Sequence, residues 1–411
     1  MTFRNPTRSS YSSRYGYSSQ RGGGIAGLVF VLVALTLALF ILSRMTGWDA
    51  PSVVWWLTNT NPPSIVLNGP TGPVRGAVQI DAQLAPADRS SIVAASIDGQ
   101  PITLTTPLVV DTAAVPDGAH RITMQAADGS RLRNKAEAEL TLRSDNTPPR
   151  LNVELNSGAL DQGGTLSLKV RADEPSTTVA MVDGKRLSLQ READFDWALV
   201  GFGPDTPPHA SSIVVRGTDE LGNAGEQTTP FEVAPRQFTQ DRVQVSQRLA
   251  ALLEPHVRAE EDAHLAPTYA RVSGPRLWSG RFAQPVQGTI VTEFGEVRSY
   301  NGGPFEGHHG GVDFAANTGT PVLAPARGVV ALVDQVPLRG NVVILDHGLG
   351  VFTTYAHLSS VDTKLGDTVQ PGQAFARVGT TGLSEGPHLH WELWIGGQNV
   401  DPMPWTQRAF P

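Results

Sequence analysis

The chain has no cysteine among its 411 residues. It can therefore hold neither a disulfide nor a thiolate metal site, and core burial alone must stabilise it. An excess of basic charge is missing too. The formal net charge is −7, which leaves no electrostatic footprint for nucleic-acid binding. Acidic residues are absent from residues 1–24, which carry Arg4, Arg8, Arg14 and Arg21 among Ser, Tyr and Gly. That composition cannot build a core and predicts a basic, disordered cytoplasmic tail.

A hydrophobic run follows. Ile25 to Leu42 gives 18 residues without a charge, just long enough to span a bilayer. The basic flank belongs in the cytoplasm, and Trp48, Trp55 and Trp56 follow at the far interface. Ser43-Arg44-Met45 offers no small-x-small cleavage site. The expectation is an uncleaved single-pass anchor over 25–45 in the cytoplasmic membrane. Everything after it then lies in the periplasm or outside the cell.

Residues 62–234 read as two copies of one β-rich module, over 62–144 and 147–234. SIDGQPITL at 96–104 mirrors MVDGKRLSL at 181–189, and MQAADGSRL at 124–132 mirrors VRGTDELGNAG at 215–225. Stretches such as TLSLKVRA and SSIVVRGTD alternate as half-buried strands do, and Asp-Gly pairs mark tight turns. The prolines of DNTPPR at 145–150 signal a linker. The pattern resembles bacterial immunoglobulin-like repeats. It contains no chemical constellation, so the modules read as spacers that also offer surface to cell-envelope protein partners.

The β pattern breaks over a helical connector, 237–269. Val245, Leu249, Leu252 and Leu253 follow i, i+4, i+7, i+8 spacing, one apolar helical face, and Pro255 should end or kink that helix. Such a face must be buried, either on the second module or on the groove side of the last domain.

Six of the ten histidines fall in the last 104 residues. His309 and Asp313 lie in GHHGGVDFAANTGTPV, His357 in TTYAHL, and His388 and His390 in GPHLHWEL. Two imidazoles and one carboxylate make a three-ligand set for Zn²⁺ with a position left open for water. On a strand, His388 and His390 project to one face. His309 and Asp313 would be roughly 13 Å apart on a straight strand, so Gly310 and Gly311 must bend the chain for both to reach one ion. His308 reads as a loop neighbour and His347 as a turn support. His120, His209, His256 and His264 read as solvated or structural.

Residues 285–402 resemble the lysostaphin-like (LytM-type) zinc endopeptidases, which cut peptide bonds of bacterial peptidoglycan. GHHGGVDFAANTGTPVLAPARGVV, GNVVILDHGLGVFTTYAHLS, LGDTVQPGQAFARVGTTG and GPHLHWELWIGGQNVDP carry the resemblance, in order. It implies an all-β peptidase domain over 275–411 in a mainly β chain. It places the metal ligands at His309, Asp313 and His390, and the catalytic histidines at His357 and His388. In that reading His388 is the base, and His357 serves the oxyanion or acts as acid. Either order fits the sequence. Asn341 and Tyr300 are candidates for substrate or oxyanion binding. LGDTVQPGQAFARVG also resembles a lipoyl or biotinyl carrier turn, but the nearby lysine, Lys364, precedes that turn and the attachment residue is missing. The implied function is hydrolysis of stem peptides or cross-links during wall remodelling. The main rival is a non-enzymatic regulator of a separate wall amidase. Such proteins lose metal ligands, and this chain keeps all of them.

Overall fold

The computed structural model describes residues 24–411. The tail expected over 1–24 therefore lies outside the described residues, apart from Gly24. The apolar run forms a helix, Gly24–Thr46. Among the described residues it is the one helix long and apolar enough to cross a membrane. A short helix, Ala50–Thr58, follows, capped by Asp49, whose Oδ1 accepts from Ser52 N at 2.8 Å. The chain then divides into two compact units, one ending at Asn146 and one comprising Thr147–Pro411.

In the first unit, a three-stranded sheet (Ser64–Asn68, Ala77–Ala85, Leu108–Asp111) faces a five-stranded one. The five run Pro73–Val74, Lys135–Ser144, Gly118–Asp128, Ser90–Ile97, Gln100–Pro101. Alternation sends Val78, Ile80, Leu108, Ile122, Met124 and Leu142 into one core between them. The second unit begins with the same plan. Its five-stranded sheet runs Ala159–Asp161, Ala224–Ala234, His209–Asp219, Ser176–Val182, Lys185–Arg186, and a four-stranded sheet faces it. In both five-stranded sheets the first pair is parallel and the rest are antiparallel.

The repeat in the sequence is thus a repeat of topology, and its mirrored segments do the same work. Asp98-Gly99 (φ 50° and 79°) and Asp183-Gly184 (φ 46° and 74°) make equivalent left-handed hairpin turns. Asp128 and Asp219 each gather backbone N–H groups of the following turn, closed by Asn134 and Asn223.

One strand of the second module departs from a free-standing sandwich. Phe195–Gly201 sends Ala198 and Val200 into its own core, while Phe195, Trp197 and Leu199 pack into the core of the C-terminal domain. Trp197 is 3% exposed and meets Trp278 edge-on, with ring centroids 6.1 Å apart. Asp401 donates from its backbone N to Gly163 O (2.8 Å), and its Oδ2 accepts from Arg236 Nη1 (2.9 Å).

The C-terminal domain is built on an antiparallel sheet. Its strands run Thr289–Thr292, Val312–Ala315, His388–Ile395, Val351–Val361, Gly340–Asp346, Gly328–Val336, Thr368–Val369 in spatial order. Phe314, Tyr355, Phe375 and Trp391 fill its centre.

The connector opens with a strand and breaks at Pro255. Gln240–Val243 is a strand, parallel to Val297–Tyr300. Val245 precedes the short helix Gln247–Ala250, and a 3-10 turn, Ala251–Leu253, follows. Pro255 opens a new helix, Pro255–Tyr269, because its fixed φ and missing N–H suit the first turn. That helix buries Glu261, Leu265, Thr268 and Tyr269. Tyr269 stacks on Trp394 of the catalytic sheet at 4.0 Å.

Candidate functional site

Sheet register brings the site together. Asp313 pairs with His390, and His390 pairs with Ala356, the neighbour of His357. His388 stands two residues before His390 on the same strand face. His309 joins from the loop before Val312. Gly311 is required there for close approach: a Cβ at this position would lie 2.3 Å from Trp391 O. His357 has φ +59°, at a register shift in the strand Val351–Val361. This left-handed conformation, unusual for a residue with a Cβ, turns its ring toward His388, with centroids 4.6 Å apart.

The ligand atoms converge. His309 Nε2 is 2.9 Å from His390 Nδ1 and 3.1 Å from Asp313 Oδ1, and His390 Nδ1 is 2.8 Å from Asp313 Oδ1. A four-coordinate zinc at 2.0–2.1 Å from each ligand sets neighbouring donors ~3.3 Å apart. The three atoms fit that spacing after slight expansion.

Each histidine has one nitrogen fixed by an oxygen that can only accept. His309 Nδ1–H donates to Glu293 O (3.0 Å), His388 Nδ1–H to Gly386 O (2.8 Å) and His357 Nδ1–H to Thr381 O (2.8 Å). His390 is reversed: Nε2–H donates to Glu392 Oε1 (2.9 Å), so Nδ1 faces the site. The chain thus fixes the tautomers of His309, His357 and His388, while His390 lies between two carboxylates, with Asp313 Oδ1 2.8 Å from Nδ1. Asp313 presents Oδ1 to the site while Oδ2 accepts from Arg298 Nη2 at 3.0 Å.

Charge follows the same logic. Burial lowers His309, and burial beside His388 and His390 pushes His357 down to about 3. Both rings stay neutral, each with a nitrogen lone pair available. Burial opposes a charge on His390, yet Asp313 and Glu392 on either side raise it to about 9. Burial likewise opposes a charged Asp313, but the imidazoles hold it well below the usual carboxylate range. The pocket therefore favours a cation, and its donor set of two imidazoles and a carboxylate suits zinc.

These residues floor a cleft of about 840 Å³. The connector forms part of its wall through Val243, Val245 and Leu249, and the second module reaches its rim at Pro204 and Asp205. Val245 N donates to Asn301 Oδ1 (2.9 Å) and Ser246 N to Glu385 Oε1 (2.7 Å), so the connector bridges two loops of the C-terminal domain.

Tyr300 lines the cleft and is hydrogen-bonded to Arg298. Asn341 uses its side chain within the sheet, where Nδ2 donates to Leu358 O at 2.9 Å. His308 contacts the second module at Asp205 (2.8 Å) and the connector at Phe238. His347 is buried between Arg327 O and Thr353 Oγ1. Sequence reasoning missed Arg298, Arg339 and Glu392. Of these only Glu392 carried a signal, since it continues the alternate face of His388 and His390.

Comparisons with known proteins point the same way. Residues 307–402 match the model of peptidase family M23. An uncharacterized metalloprotease of Haemophilus influenzae is 48% identical over 96 residues, 23% of this chain and 20% of the relative. The peptidoglycan DD-endopeptidase ShyA of Vibrio cholerae is 43% identical over 95 residues, 23% of this chain and 22% of the relative. The chain thus spans about a fifth of the length of these curated relatives. The catalytic domain of the antimicrobial peptidase lysostaphin from Staphylococcus simulans is 33% identical, covering 29% of this chain and 92% of that one, with a TM-score of 0.27. The matched stretch holds every candidate ligand and histidine of the cleft, so the chain carries a peptidase family M23 domain over residues 307–402.

Proposed function

We propose that this protein is a membrane-anchored zinc endopeptidase that hydrolyses peptide bonds of peptidoglycan stem peptides or cross-links. The carrying observation is the convergence of four imidazoles, three of them tautomer-fixed, and one carboxylate in an open cleft. His309 Nε2, His390 Nδ1 and Asp313 Oδ1 would hold the metal. When bound, zinc supplies Lewis acidity, acidifying water toward pKa about 7 and polarising a carbonyl.

The chain's own residues do the rest. His388 Nε2 lies 3.8 Å from Asp313 Oδ1, at the edge of the ligand set, with its lone pair inward. It accepts the proton of the attacking water and returns it to the leaving amine. His357, held neutral and pinned to Thr381 O, stands beside His388 and orients that water. Tyr300 lines the same cleft, where its hydroxyl would meet the oxyanion.

The helix Gly24–Thr46 anchors the protein in the cytoplasmic membrane with its N-terminus inside. The two repeated sandwiches are immunoglobulin-like. The first is a spacer, and the second is part of the enzyme body. Purified protein should carry about one zinc and release peptide-cleavage products from wall sacculi. His309→Ala, Asp313→Ala and His390→Ala should each lose both. Stoichiometric zinc in all three variants, or intact sacculi with the zinc-loaded protein, refutes the reading.

A further inference from the structure

Three buried charges outside the ligand set form one line. Glu261, on the helix Pro255–Tyr269, has a fully buried side chain. Its Oε1 accepts from Arg339 Nη1 at 2.8 Å, and its carboxylate also accepts from the backbone N–H groups of Leu338 and Arg339. Arg339 Nε donates to Glu392 Oε1 at 2.8 Å. The same Oε1 accepts from His390 Nε2 at 2.9 Å, and Glu392 Oε2 accepts from Trp394 Nε1 at 2.7 Å. Arg339 also reaches the other half of the site, since its carbonyl accepts from His357 N at 2.8 Å. Arg339 therefore contacts the residues that set His390 and His357, and Glu261 fixes both its guanidinium and its backbone.

The Arg339 guanidinium is held by two buried carboxylates, with the half-exposed Asp262 farther off at 3.4 Å, and removing a buried one leaves a strained, partly uncompensated charge. A carboxylate behind a ligating histidine fixes its tautomer and raises its basicity toward the metal. We infer that Glu261, on the connector outside the family-matched stretch, is a positioning residue of the metal site. Through Arg339 it holds Glu392 against His390, so the connector helix is a working part of the centre. This inference rests on the metal reading proposed above.

The rival role for Glu261 is that of an anchor that pins a helix to the sheet. Glu261→Gln keeps the shape and an acceptor for the backbone N–H groups but removes the charge. Leu265→Ala loosens the same helix, because Leu265 is buried against Ile344 and Phe352, and leaves the line of charges intact. The experiment measures the zinc dissociation constant of the full chain in detergent, by chelator competition at one pH, alongside thermal melting. Positioning predicts that Glu261→Gln binds zinc about 10–100-fold more weakly while melting near wild type. Leu265→Ala should melt lower but bind zinc as wild type does. Arg339→Gln breaks the line at its centre and carries the same expectation as Glu261→Gln, should that variant fold poorly. Wild-type zinc affinity in Glu261→Gln, or equal loss in Leu265→Ala, overturns the inference alone. A wild-type chain that takes up no zinc overturns the metal reading and this inference with it.

Discussion

Trp197→Ala tests whether the second module and the peptidase domain share one core. The indole is 3% exposed, packed on Trp278, with the Arg276 guanidinium 5.4 Å from its ring centre. Burying roughly 200 Å² of aromatic surface at about 25 cal/mol per Å² gives ~5 kcal/mol. Measured Trp→Ala changes in cores run about 3–5 kcal/mol. A unit of this size loses roughly 2 °C per kcal/mol, so its melting point should fall by about 6–10 °C. The assay is differential scanning calorimetry of the full chain in detergent, repeated with Trp278→Ala and the double variant. The edge-on ring pair should add a coupling energy of about 0.5–1.5 kcal/mol. The transition that responds must be the one in which zinc release occurs. If the peptidase transition stays in place while a separate module transition moves, the shared-core argument is wrong.

The other expectations are more direct. His388→Ala and His357→Ala should retain stoichiometric zinc by metal analysis, yet lose on the order of 10²–10⁴-fold in wall hydrolysis. Loss of zinc from His388→Ala with retention in His390→Ala would mean that the two residues are reversed. In the first unit, the hydrogen bond to Asp98 raises the pKa of His120 above 6.5, although burial opposes it. A raised folded-state value gives stability that is full below pH 6.5 and is lost as pH climbs through that value. Hydrogen-exchange protection factors in the strand Gly118–Asp128 should therefore fall between acidic and mildly alkaline pH, and His120→Leu should flatten the change. A flat wild-type profile would disprove the linkage.

The sequence by itself determined the parts whose signal is local. The apolar run that became Gly24–Thr46 is one such part, and the doubled Asp-Gly hairpins are another. The alternation of His388 and His390 on a strand face is a third, since side-chain period follows from backbone geometry alone. The glycines beside His309 were legible as a constraint, though the structure shows that Gly311 answers a close backbone approach.

Tertiary structure decided what depends on partners distant in the chain. Of the apolar face legible at Val245, Leu249, Leu252 and Leu253, Leu249 is buried and the others are half-buried. A second buried face, Glu261, Leu265, Thr268 and Tyr269, has the same spacing but a carboxylate at its head. No hydrophobic pattern can predict that a glutamate is interior, because its burial is tolerable only with Arg339, 78 residues away, opposite it. Trp197 is similar. Its strand alternates like any half-exposed strand, and only the docked domain makes its second face interior. His357 needed the fold as well, since its left-handed backbone is held by hydrogen bonds to Arg339 and Thr381. Local periodicity places side chains on faces. Which faces meet, and which charges can therefore be buried, is fixed only when the distant partner arrives.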